Sequence, residues 1–278
     1  MKRLILTSQS GAGLMLADLA DLVIFFLSRF VWGPLPSPDE LATYLGARSH
    51  DHRRGDHWSV YVGRWPSAIK ARLRLVDFDL ISIPPTGLGK WKVKDIDVTG
   101  AELETASRAW QAYRATTPEA CLALLATDLS ALLMLKLALL ELLAELPSST
   151  TGLGATEMRM LELIAWGFAN TNPLFHLRTL RGTRVFDESE LGYLLDGLAH
   201  GPTPAVAGLD ELRTISRENL RDRVPAYLRS RLSLTEFGKA VVAHKEDFSR
   251  HNPIDRWWGG TRLTNDCLWR WKPALMKP

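Results

Sequence analysis

At 278 residues the chain is long enough for a large core in one or two domains. Its 46% apolar and 23% charged composition is ordinary for a soluble globular protein, and a net charge of +3 is too small to imply nucleic acid by itself. Two isolated cysteines, Cys121 and Cys267, form neither a disulfide framework nor a C-x-x-C motif, which fits a reducing cytoplasm.

The first 97 residues read as α/β. Leu4–Thr7 is a short apolar strand, too short for the core of a signal peptide. Ser8–Gly13 is a turn of small residues, and Leu14–Leu19 opens a helix. Leu22–Leu27 is an apolar, aromatic run of buried-strand type, followed by a loop over Trp32–Pro36. Ser37 stands where a helix cap is wanted, with Pro38 at the first helical position. Trp58–Val62 reads as a third strand, Ser67–Leu75 as a helix, and Phe78–Ile83 as a fourth strand ended by Pro84-Pro85. This alternation predicts a Rossmann-like α/β domain over residues 1–97, with a parallel, doubly wound sheet.

Residues 98–147 form a helical connector. Ala101–Tyr113 and Pro118–Leu125 are amphipathic, and a strongly apolar helix follows from Leu129. Lys136, Glu141 and Glu145 interrupt Leu129–Leu146, so it reads as a buried helix rather than a membrane span, and no membrane partner is expected. Pro147–Gly152 is a linker. Residues 148–250 outline a mainly α, winged-helix-like domain. Its helices are Thr156–Gly167, Pro173–Leu180 and Asp187–Ala199, with a strand at Leu232–Thr235 and a trailing helix at Glu236–Val242.

Residues 251–278 hold four of the ten tryptophans: Trp257, Trp258, Trp269 and Trp271. Exposed indoles in a mobile tail are an aggregation hazard, so this segment is expected to pack back on the core as a clasp between domains. The turn Ser8–Gly13, the Gly33-Pro34-Leu35 loop, and the elements Asp255–Gly260 and Trp269–Trp271 resemble an uncharacterised bacterial domain-of-unknown-function family of the DUF eighteen-thirty-five type. Ala109–Arg114, Asp128–Leu132 and Gly152–Glu157 also look like that family, which lends no activity. This chain is a divergent member by that resemblance. The family's acidic positions in the opening turn, in the loop before Gly-Pro-Leu and after strand three are here Gln9, Ser28 with Arg29, and Tyr61–Arg64.

Those substitutions turn the expected site at the strand ends from acidic to neutral or basic, which suits an anion better than carboxylate chemistry. Ser8, Gln9, Ser10 and Gly13 permit close backbone approach ahead of a helix N-terminus, and Arg29 and Arg64 could add guanidinium contacts. The bland alternative is a packing turn with two unpartnered surface arginines. Arg256, Trp257 and Trp258 are candidates to flank the same ligand, against a purely structural clasp. His50, Asp51, His52, Asp56 and His57 lie close together but read as a solvated loop, and no metal is assigned.

Arg213, Arg217 and Arg221 recur every four residues, the spacing of a nucleic-acid-facing helix. The expected recognition helix, however, carries Asp187, Glu188, Glu190 and Asp196, which suits a protein or peptide partner better than a major groove. The expectation is therefore a cytoplasmic binding or accessory protein. It would have a small-anion site in the first domain and a protein or peptide partner on the second, and the sequence leaves any cofactor unknown. The alternatives are an enzyme acting on a phosphorylated or nucleotide-like substrate and a DNA-binding regulator.

Overall fold

The computed structural model describes residues 95–171, 188–211 and 220–278, together with the short strands at 4–7, 22–25 and 74–76. The chain divides into two compact units, Met1–Arg29 with Pro34–Ser107, and Phe30–Gly33 with Arg108–Pro278.

In the first unit, β1 (Leu4–Thr7) pairs in parallel with β2 (Leu22–Phe25), from Leu4 opposite Leu22 to Thr7 opposite Phe25. Both are apolar four-residue runs, and the helix-length gap between them is what a parallel crossover needs. β3 (Arg74–Val76) pairs antiparallel with β4 (Asp95–Asp97). This corrects the helix expected over Ser67–Leu75, because Arg74 and Leu75 are extended. The cause is visible in Arg72-Leu73-Arg74-Leu75, which alternates polar and apolar with a period of two rather than 3.6. β4 was not anticipated, and its antiparallel pairing departs from an all-parallel sheet. The strands expected at Trp58–Val62 and Phe78–Ile83 lie outside the described residues.

Helix α1 (Gly100–Tyr113) is capped by Thr99. The Thr99 N–H donates to the Glu102 carboxylate at 2.7 Å, and the Thr99 hydroxyl accepts from the Ala101 N–H at 3.3 Å. In the second unit follow α2 (Glu119–Leu124), α3 (Leu135–Ala144), α4 (Ala155–Ala165), α5 (Glu188–Ala199), α6 (Leu220–Leu228), α7 (Glu236–Val242) and α8 (Phe248–His251). The apolar helix starts at Leu135 rather than Leu129. Ahead of it the Asp128 carboxylate accepts the Ser130 N–H, and residues 129–134 form turns. β5 (Val206–Ala207) pairs antiparallel with β6 (Ser233–Leu234), and Thr235 caps α7 by accepting the Gly238 N–H at 3.0 Å. The expected helix at Pro173–Leu180 lies outside the described residues.

The tryptophan-rich tail is strand, not coil. β7 (Asp255–Trp258) and β8 (Thr261–Thr264) form a hairpin, and β9 (Arg270–Lys272) pairs with β10 (Ala274–Met276). The two-residue turn between β7 and β8 is Gly259-Gly260, with Gly259 at φ +56°. A side chain on Gly260 would collide with the Arg114 carbonyl, so the hairpin tip sits directly on the end of α1. The Gly260 N–H donates to the Tyr113 carbonyl at 2.9 Å. Connector, second-domain and tail residues share one core, from Cys121 and Leu143 through Leu161 and Leu198 to Trp258, Leu263 and Trp269. Among the described residues, the tail's contacts fall on residues 98–147 and 148–250.

Among the described residues, no helix is long and apolar enough to cross a membrane. Cys121 is buried and its thiol is pushed up to about 12 by desolvation, whereas Cys267 is exposed; both are free thiols.

Candidate binding cleft

A cleft of about 260 Å³ opens where the tail enters its first strand. Ligand pockets run from roughly 300 to 1,000 Å³, so this one has room for a side chain or a small fragment rather than a large cofactor. Gly152, Leu153 and Glu157 reach it from the start of α4, and Tyr193, Leu194 and Gly197 from one face of α5. His200, Gly201 and Pro202 follow from the loop after α5, and Asn252 to Arg256 close the far side. Leu153, Leu194, Pro202, Phe248 and Ile254 make much of the wall apolar.

The polar floor is already paired. Arg256 holds Glu157 through two bonds, Nη1 to Oε1 at 2.8 Å and Nη2 to Oε2 at 2.9 Å, and both side chains are largely buried. Such a fork-to-fork arrangement is the strong form of an ion pair. Glu157 reached this place as the third residue of α4, where its carboxylate also accepts the Gly154 N–H at 2.9 Å. A second carboxylate, Glu145, lies behind it and accepts the Thr156 N–H at 3.1 Å and the Thr156 hydroxyl. Burial pushes Glu145 up to about 7, opposed by the Thr156 bonds; neighbouring Glu157 raises it further and Arg256 lowers it. The start of α4 therefore gathers two acids against one guanidinium, on a helix end that favours negative charge.

At the other end of the cleft, His200 Nδ1 meets Asp196 Oδ1 at 2.8 Å, one helical turn apart. Asp196 is buried, and with Nδ1 held there the ring presents Nε2, which makes no bond to a described residue. Asn252 ties the wall together. Its side chain accepts the Thr203 N–H at 3.0 Å and donates to the Thr203 carbonyl at 3.0 Å and the Phe248 carbonyl at 3.3 Å.

Several expected site residues have other duties. Arg256 does line the cleft, but its guanidinium is committed to Glu157, which corrects its reading as an open anion clamp. Trp258 is buried, its indole N–H donates to the Leu142 carbonyl at 2.8 Å, and its ring meets Tyr113 edge-on at 5.9 Å. It is a core residue and does not line the cleft. Trp257, on the opposite side of β7, is half-buried and does not line the cleft. Asp196 is paired inside, so it does not belong to an exposed acidic face of α5.

Ser8, Gln9, Ser10, Gly13, Arg29, Arg64, Arg213 and Arg217 lie outside the described residues, as does the His50–His57 loop. Arg221 lies in α6, and only its backbone is described. Glu157, His200 and Asn252 were not singled out from the sequence. The Asp196-x-x-x-His200 spacing was the one signal that could have found the histidine.

Comparison with protein-family models, curated proteins and solved structures finds no match in any of the three. The family resemblance therefore rests on its sequence landmarks alone. Among the described residues, no three His, Cys, Asp or Glu side chains gather as metal ligands.

Proposed function

We propose that the chain is a binding or accessory protein whose second unit receives one side chain of a protein or peptide partner in the Gly197–His200 cleft. The observation that carries this reading is that the charges in the cleft are paired within the chain, Arg256 with Glu157 and Asp255 with Arg262. What remains for a ligand is an apolar wall and one ring nitrogen of His200, a combination suited to a neutral, partly apolar group capable of one hydrogen bond. The small-anion site around Ser8–Gly13, Arg29 and Arg64, and the Rossmann-like and winged-helix-like assignments, belong to the same proposal. Their support is the sequence pattern and the family resemblance.

Gly197 provides the test. A Cβ built there meets nothing within 4 Å, so Gly197→Leu fills the cleft from a helix that tolerates the change. Peptides selected from a random library on the wild-type chain should lose binding to Gly197→Leu. Unchanged binding would sink the reading of the cleft. For the first unit, thermal shift against phosphate, nucleotides and dicarboxylates tests the anion half, with Arg64→Ala as the control.

An acid–base enzyme is the second reading, and the Asp196–His200 pair is the observation in its favour. The chemistry such a pair supplies is proton transfer. Turnover lost in His200→Gln with ligand binding retained would favour that reading.

A further inference from the structure

Helix α3 carries an apolar seam that the cleft does not use. Leu133 and Met134 in the turn before it and Leu137 and Leu140 within it are 40% to 75% exposed, while Leu139 and Leu143 on the opposite side belong to the core. Isolated surface leucines are normal, but four large apolar side chains within eight residues form a continuous patch. Within the helix Leu137, Leu140 and Ala144 are separated by three and four residues, the spacing that keeps side chains on one seam between paired helices.

The charges beside the seam specify the partner. Lys136 and Glu141 are five residues apart, about 140° around the helix, so they flank the seam on opposite sides and cannot reach each other. Neither forms an ion pair with a described residue, and burial alone pushes the Glu141 carboxyl up with no cation offsetting it. When two copies of one helix pack in parallel about a two-fold axis, the residue before a seam position on one faces the residue five places on in the other. Here that places Lys136 against Glu141 twice. Antiparallel packing would instead bring each charged flank against its own copy, Lys136 near Lys136 and Glu141 near Glu141.

We propose that α3 is the interface of a parallel two-fold homodimer, with Leu137, Leu140 and Ala144 on the seam and reciprocal Lys136–Glu141 pairs beside it. The helix has only 10 residues, so the association is weak, with a dissociation constant on the order of micromolar or above.

Sedimentation equilibrium of the full chain from roughly 1 to 100 µM brackets that range. The expected result is a monomer–dimer equilibrium. Lys136→Glu and Glu141→Lys should each weaken it about tenfold, since each turns two attractive contacts repulsive. The double swap should restore it to within about threefold. Leu137→Cys, in a Cys267→Ser background, should oxidise to a covalent dimer, because seam positions bring their Cα atoms within the roughly 4.4–6.8 Å a disulfide spans. A monomer at every concentration overturns the proposal. If Leu137→Cys then also resists thiol labelling, the seam is covered by residues of the same chain. A dimer indifferent to the single reversals and to the swap overturns it as well.

Discussion

Replacing Arg256 with Met keeps the unbranched stem of the side chain and removes the guanidinium with its charge. The two bonds to Glu157, at 2.8 and 2.9 Å, are lost, and a carboxylate with 9% side-chain exposure is left beside a second acid, Glu145. Breaking a buried pair from one side typically costs about 3–5 kcal/mol. Arg256→Met should therefore lose about 3–5 kcal/mol. Urea unfolding of wild type and variant at neutral pH measures the difference. Adding Glu157→Gln should recover most of the loss, since no charge is then left unpaired. A loss below about 1 kcal/mol, or no recovery in the double variant, would refute the argument.

Other residues make equally definite predictions. The folded chain holds the Glu145 proton up to about pH 7, whereas the unfolded chain releases it near 4.5, so the folded state binds more protons in between. Stability should fall as pH rises through that window, by up to about 3 kcal/mol from this group, and Glu145→Gln should flatten that part of the Tm–pH profile. Trp258→Phe removes the indole donor and leaves the Leu142 carbonyl with the Glu145 N–H alone, while the smaller ring leaves space in the core; a loss of about 2–3 kcal/mol in urea unfolding is expected. Gly260→Ala should cost upwards of about 2 kcal/mol by the same measurement, because the added methyl meets the Arg114 carbonyl. Gly197→Ala should instead stabilise by about 0.5–1 kcal/mol, since its methyl enters open space and the helix gains a better former.

The sequence was most readable where local pattern and local structure coincide. Leu4–Thr7 and the helix Glu236–Val242 match their expected bounds, because an apolar run with a turn and a threonine cap with its helix are complete within a few residues. The strand at Arg74–Val76 was misread because the alternation in Arg72-Leu73-Arg74-Leu75 is short and the helical reading of what precedes it outweighed it. The tail's burial was legible from its indoles, but the individual partners of its side chains were not. Trp258 meets Leu142 across 116 positions, and Arg256 meets Glu157 across 99. A lone arginine gives no local sign of the acid it will find, so Arg256 looked available when it is committed. Asp196 looked like surface charge for a related reason. Its partner four residues on is a histidine, whose pairing depends on both side chains turning inward.

The contact between the hairpin and α1 also says something about how the chain is made. Thr261 donates to the Ala115 carbonyl across 146 positions, and Arg270 donates to the Ser148 carbonyl across 122. Helices α1 to α4 are synthesised long before the strands that complete their core. Until residues 255–271 leave the ribosome, the slot destined for Trp258 stands open, and Glu157 waits without its arginine. Contacts of such long sequence separation are slow to form, because closing the loop costs entropy before any burial repays it. The second unit should accordingly reach its final stability only after translation has passed the tail, and its earlier helices form a nascent intermediate with an exposed apolar groove.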